Sequence, residues 1–88
     1  EMKTFEDLEF KDHPNHEGGV HAKIKFSNGF GASIVKSPYS YGGKNGLYEL
    51  AVFGQDGDIT YDTPITSDVL GYLCEAEVTA TLAQIQAL

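Results

Sequence analysis

The sequence predicts an α+β domain: an antiparallel sheet of about four to five strands, two hairpins plus an N-terminal strand, packed with one or two C-terminal helices. Three observations lead there. Apolar and polar residues alternate over residues 20–35 around Asn28-Gly29, the pattern of a hairpin with one buried face. The apolar run over residues 47–53 is followed by Asp56-Gly57, a second turn signal. Towards the C-terminus the spacing changes to that of Val78, Leu82 and Ile85, which lie on one side of a helix.

Taken in order, residues 4–11 come first. Leu8 and Phe10 alternate with Glu9 and Lys11, as a half-buried strand requires. Phe5 is out of phase with them, which predicts a bend or bulge near Glu6-Asp7. Residues 12–19 are turn chemistry throughout, with Pro14, Asn15 and the Gly18-Gly19 pair. Val20, Ala22, Ile24 and Phe26 then alternate with His21, Lys23, Lys25 and Ser27, and Phe30, Ala32 and Ile34 continue after Asn28-Gly29. Asn-Gly tolerates positive φ at both positions, so a two-residue type I′ turn is predicted.

Residues 37–46 read as a loop, because one Pro, three Gly and one Asn exclude a regular element. Residues 47–53 form a strand with apolar side chains on both faces, which suits a central strand. A short strand over 58–61 is expected after Asp56-Gly57. Pro64 marks a connector, and Thr66 or Ser67 is placed to cap a short helical turn carrying Val69, Leu70 and Leu73. Cys74 then starts the last helix as its N-cap, with Glu77 reaching back as in a capping box. One continuous helix over 68–87 is the alternative.

Residues 2–88 are expected to form one domain; Glu1 precedes Met2, and the natural chain is expected to begin at Met2. A chain of 88 residues buries only roughly 60–65% of its unfolded surface. That leaves little depth for a catalytic cleft and favours binding over catalysis, so a non-enzyme without cofactor is expected. The lone Cys74 excludes an internal disulfide. No apolar run reaches the ~20 residues that span a bilayer, and no signal peptide is recognised; no membrane partner is expected.

The net charge of −7 disfavours direct nucleic-acid binding, because phosphates would be repelled. The charge is unevenly spread. No acid occurs between Gly18 and Tyr48, where Lys23, Lys25, Lys36 and Lys44 all fall. Pairing of basic strands with acidic neighbours explains such a pattern, each cross-strand pair contributing about 0.2–1 kcal/mol.

Four constellations bear on chemistry. His13, His16 and His21 lie beside Asp12 and Glu17, but in the spacing of a turn that matches no metal signature, and no metal site is assigned. Cys74 at a helix start has no histidine near it in sequence and reads as a cap rather than a nucleophile. Asp56 and Asp58 bracket a glycine at the spacing of a tight turn. The segment Gly42-Gly43-Lys44-Asn45, with Tyr39 and Tyr41 just before it, is the candidate binding loop. Its glycines and ammonium group suit an anion, and exposed tyrosines beside them suit protein recognition. The competing reading has the tyrosines folding back over the sheet.

The runs Phe26-Ser27-Asn28-Gly29-Phe30-Gly31-Ala32-Ser33-Ile34-Val35, Pro38-Tyr39-Ser40-Tyr41-Gly42-Gly43, Gly46-Leu47-Tyr48-Glu49-Leu50-Ala51-Val52 and Thr60-Tyr61-Asp62-Thr63-Pro64-Ile65-Thr66 resemble small hypothetical proteins of tailed bacteriophages. The resemblance spans residues 5–88, most of the chain. That family carries no activity to transfer, so no residue role follows from it. It implies an accessory protein in the host cytoplasm that binds, and by binding can inhibit, a host or phage protein. A small-ligand role, sequestering a nucleotide or other anion, is the alternative, and nucleic-acid mimicry by the acidic surface is a variant of the first. A homodimer is a further way to cover a sheet edge.

Overall fold

The computed structural model describes residues 3–12, 18–38, 40, 42–60 and 70–88. It has a five-stranded antiparallel sheet in the order β1-β2-β3-β4-β5. The strands are β1 (Lys11–Asp12), β2 (Val20–Lys25), β3 (Gly31–Lys36), β4 (Tyr48–Phe53) and β5 (Leu70–Leu73), and one helix, α1 (Glu75–Gln86), follows. The α+β class stands as predicted.

The alternation along β2 and β3 decides the two faces of the sheet. Ala22 pairs with Ile34, which pairs with Leu50, and Ile24 pairs with Ala32, which pairs with Val52. Residues paired across antiparallel strands share a face, so these six lie on one side. Val78, Leu82 and Ile85 of α1 cover that side in a core with Phe26 and Leu73. Burying such side chains contributes about 1.5–3 kcal/mol each for the larger ones.

The β2–β3 turn differs from the prediction. Phe26 N donates to Phe30 O at 2.8 Å and Gly29 N to Phe26 O at 3.0 Å, which encloses a three-residue loop, Ser27-Asn28-Gly29. Gly29 is at φ 92°, while Asn28 is not in the positive-φ region. This is a type I turn closed by a glycine bulge rather than type I′. The reason is register. A two-residue loop would set Ile24 opposite Ser33 and turn half of the apolar set to the wrong face. The second turn repeats the design: Gly54 N donates to Asp58 O at 2.8 Å and Gly57 N to Gly54 O at 3.0 Å, with Gly57 at φ 88°. The short strand expected over 58–61 is, among the described residues, a single bridge between Phe53 and Ile59.

The N-terminal strand is shorter than expected. Phe5–Asp7 is a 3₁₀ turn capped by Thr4 and Asp7, which places the predicted bend, and pairing starts only at Lys11. Phe5, Leu8 and Phe10 still pack against the core, and the rings of Phe5 and Tyr48 meet edge-on at 5.1 Å. Phe5 N donates to Thr79 Oγ1 at 3.0 Å, and Gln86 holds both Lys3 N and Lys3 O. The segment is strapped along α1.

The helical turn predicted over Leu70 and Leu73 is strand β5. Tyr48 pairs with Leu73 and Leu50 with Leu70, so three steps on β5 face two on β4. The extra residue of this bulge brings Leu70 and Leu73 to the same face despite helix-like spacing. Continuous helix over 68–87 is thereby excluded. Thr66, Ser67 and Val69, and the connector with Pro64, lie outside the described residues.

Candidate functional site

The predicted loop joins β3 to β4. Gly42 and Gly46 are both left-handed, at φ 87° and 76°, and enclose a 3₁₀ turn, Gly43–Asn45, where the sequence pattern had excluded any regular element. Ser37 and Ser40 clamp its start: Ser37 N donates to Ser40 Oγ at 2.9 Å and Ser40 N to Ser37 Oγ at 3.1 Å. A Cβ on Gly43 would overlap Ser37 O, so no other residue fits there. Lys44 and Asn45 are exposed, whereas Gly42 is buried. Tyr39 and Tyr41 lie outside the described residues.

Four of the loop's backbone donors are turned inward. The backbone N–H groups of Gly43, Asn45, Gly46 and Leu47 are all donated within the loop, to Ser40 O, Gly42 O, Gly43 O and Gly42 O. A phosphate nest needs such donors pointing outward. What the loop offers instead is shape and one ammonium group, Lys44. A shallow recess of about 240 Å³ beside it is lined by Lys36, Ser37, Pro38 and Lys44. Lys36 Nζ also stands 5.1 Å from the centre of the Tyr48 ring, a cation–π distance.

A residue that the sequence reasoning missed lies against this loop. Tyr72, the extra residue of the β5 bulge, is at φ 57°, the one non-glycine with positive φ among the described residues. It is 59% exposed. A Cβ on Gly42 would meet Tyr72 Cα at 2.9 Å and its ring at 3.1 Å. Gly42 is therefore needed for the loop to lie flush on the tyrosine. An aromatic residue in this conformation costs about 1–3 kcal/mol. The only sequence signal was Gly71, one residue from the strained position.

Among the described residues the other constellations give no site. Cys74 is exposed and has no disulfide partner; it stands at the N-cap of α1, and its N–H donates to Glu77 Oε1 at 3.0 Å, the predicted capping box. That bond holds the Glu77 carboxyl below its usual range. Asp56 Oδ1 accepts from Asp58 N at 3.1 Å, a turn contact. His21 lies on β2 opposite Lys11; His13 and His16 lie outside the described residues, among which no group of three metal-ligating side chains occurs. No helix of the described residues is long and apolar enough to cross a membrane. Compared with known proteins, the chain matches no family model, no curated protein and no solved structure.

Proposed function

We propose that the chain is a non-enzymatic bacteriophage accessory protein that binds a host or phage protein through Tyr72 and the adjoining Gly42, Gly43, Lys44 and Asn45 loop. The observation that carries this reading is the exposed, left-handed Tyr72 seated on Gly42. Strain of this kind persists where a surface is used, and tyrosine is enriched among the residues that dominate protein interfaces. Lys36 and Lys44 line the recess beside the loop and suit a carboxylate on the partner. The phage setting and the host cytoplasm rest on the resemblance of the sequence runs.

Tyr72→Gly is the informative variant, because glycine accepts the backbone angle and removes only the ring. Its melting temperature should equal or exceed that of the parent chain. Immobilised parent protein should capture one stoichiometric protein from lysate of an infected bacterial host, and Tyr72→Gly combined with Lys44→Glu should release it. Equal capture by the folded double variant would overturn the assignment of this surface. A Tyr39→Ala, Tyr41→Ala pair tests the rest of the loop in the same assay.

A further inference from the structure

The sheet face turned away from α1 carries a second feature, at the opposite end from Tyr72. Lys25 pairs with Gly31, and Gly31 pairs with Phe53, so the three form one row across β2, β3 and β4. The middle member has no side chain. The next row is Lys23, Ser33 and Ala51, again with small residues beside a lysine. A trough results, floored by Gly31, walled by Lys23 and Lys25, and ended by the half-buried Phe53. It has a volume of about 330 Å³, and Gly29 and Gly54 of the two turns border it. Among the described residues, no element packs on this face.

The gap is built into the fold. A Cβ on Gly31 would stand 2.5 Å from Ile24 O and 3.3 Å from Lys25 Cα, so the close approach of β2 bars every side chain at that position. The charge is also unlike the rest of the molecule. Lys11, Lys23 and Lys25 place three of the six basic residues on this face of a chain with net charge −7. Acids near this face include Glu49, in the row of His21 and Val35 and two rows from Gly31, and Glu9, which lines a recess together with Lys11, His21 and Lys23. Asp56 and Asp58 belong to the bordering turn, where the Asp56 carboxylate accepts from Asp58 N.

We propose that this trough binds a small anion bearing a planar ring, of the nucleoside monophosphate class, with the ring against Phe53 over Gly31 and the phosphate between Lys23 and Lys25. The two lysines project from one face of β2, about 7 Å apart along the strand, a spacing that one phosphate bridges. Base–aromatic stacking is tolerant of base identity, so Phe53 selects a ring and not a particular base. The volume lies at the small end of ligand sites, about 300–1,000 Å³, which admits one ring and one phosphate rather than a dinucleotide. Lys23 and Lys25, both lining the trough, supply the charge that holds an anion there. The site is separate from the protein-binding surface and does not depend on it.

Backbone amide NMR with adenosine monophosphate, adenosine and inorganic phosphate as separate titrants tests the assignment. Adenosine monophosphate should move the amides of Lys23, Gly31 and Phe53 saturably, with adenosine and phosphate each weaker by about tenfold or more. Lys23→Ala with Lys25→Ala, both exposed and expected to leave the melting temperature unchanged, should weaken the nucleotide by about tenfold. Phe53→Leu should weaken nucleotide and nucleoside alike while leaving phosphate as it was. No saturable shift up to roughly 10 mM nucleotide, shifts that the lysine pair does not alter, or phosphate binding as tightly as the nucleotide would each overturn the proposal.

Discussion

Asn28 links a hairpin turn to the far end of the helix. Its Oδ1 accepts from Phe30 N at 3.0 Å, closing the turn. Its Nδ2 donates to Ile85 O at 2.9 Å and to Gln86 O at 3.3 Å, carbonyls of the last turn of α1 that lack an i+4 donor; Ile85 O also accepts from Leu88 N at 3.2 Å. The helix ends at Ala87 with φ −89° and no glycine cap, so this side chain replaces one. Asn28→Ala should lower stability by about 1–2 kcal/mol in urea unfolding. Asn28→Asp keeps the turn bond but sets a negative charge at the negative end of the helix dipole, and should be at least as destabilising at neutral pH. Asn28 was legible in the sequence as a turn residue; its helical partner, 57 residues away, was not.

Among the elements, α1 was the most legible and β5 the least. Cys74 and Glu77 were readable as a capping box because that motif is local. Glu77 also makes the helix start sensitive to acid. Its pKa in the folded chain lies below the ordinary 4.5, mainly through the Cys74 backbone N–H. A lowered carboxylate pKa stabilises the fold above the ordinary value, and this contribution is lost as pH falls through the folded one. The parent chain should therefore lose stability between neutral pH and below 4.5 more steeply than Glu77→Gln, which accepts the same bond uncharged; melting curves across pH check this. β5 was misread because a bulge changes the strand period from two to three at Leu70 and Leu73, and a bulge leaves no mark in hydrophobic spacing.

For the whole molecule, one sheet face supplies the core, while the other mixes lysines with small and apolar residues. The core centres on α1, where Leu82 is fully buried between Val78 and Ile85 and against Leu50 and Ile34. Leu82→Ala should cost about 2–5 kcal/mol, a large part of the roughly 4–13 kcal/mol expected for a domain of this size. Circular dichroism melting should show a sharp fall in the midpoint, or loss of the folded baseline. The edges of the sheet are blunted: β1 has two residues and β5 carries the bulge at Tyr72. Short or bulged edges resist strand addition, which weighs against pairing of two copies edge to edge and leaves Tyr72 and Ile59 exposed on that side.

The sequence by itself determined the α+β class, the β2–β3 hairpin, the existence of β4, the apolar face that meets α1, and the start of that helix. Each is written in local periodicity or in a motif of four residues or fewer. It also held the three-residue turn, since only that loop sets Ile24 opposite Ala32; the register had to be counted rather than read from Asn28-Gly29. Tertiary structure alone decided the rest. Tyr72 becomes left-handed because β5 must fit an extra residue beside β4, and Gly42 is small because Tyr72 lies on it. Gly31 opens a gap between Lys25 and Phe53 because β2 comes too close for any side chain. Contacts between residues so far apart in the chain depend on how the elements stack, and neither spacing nor composition encodes that distance.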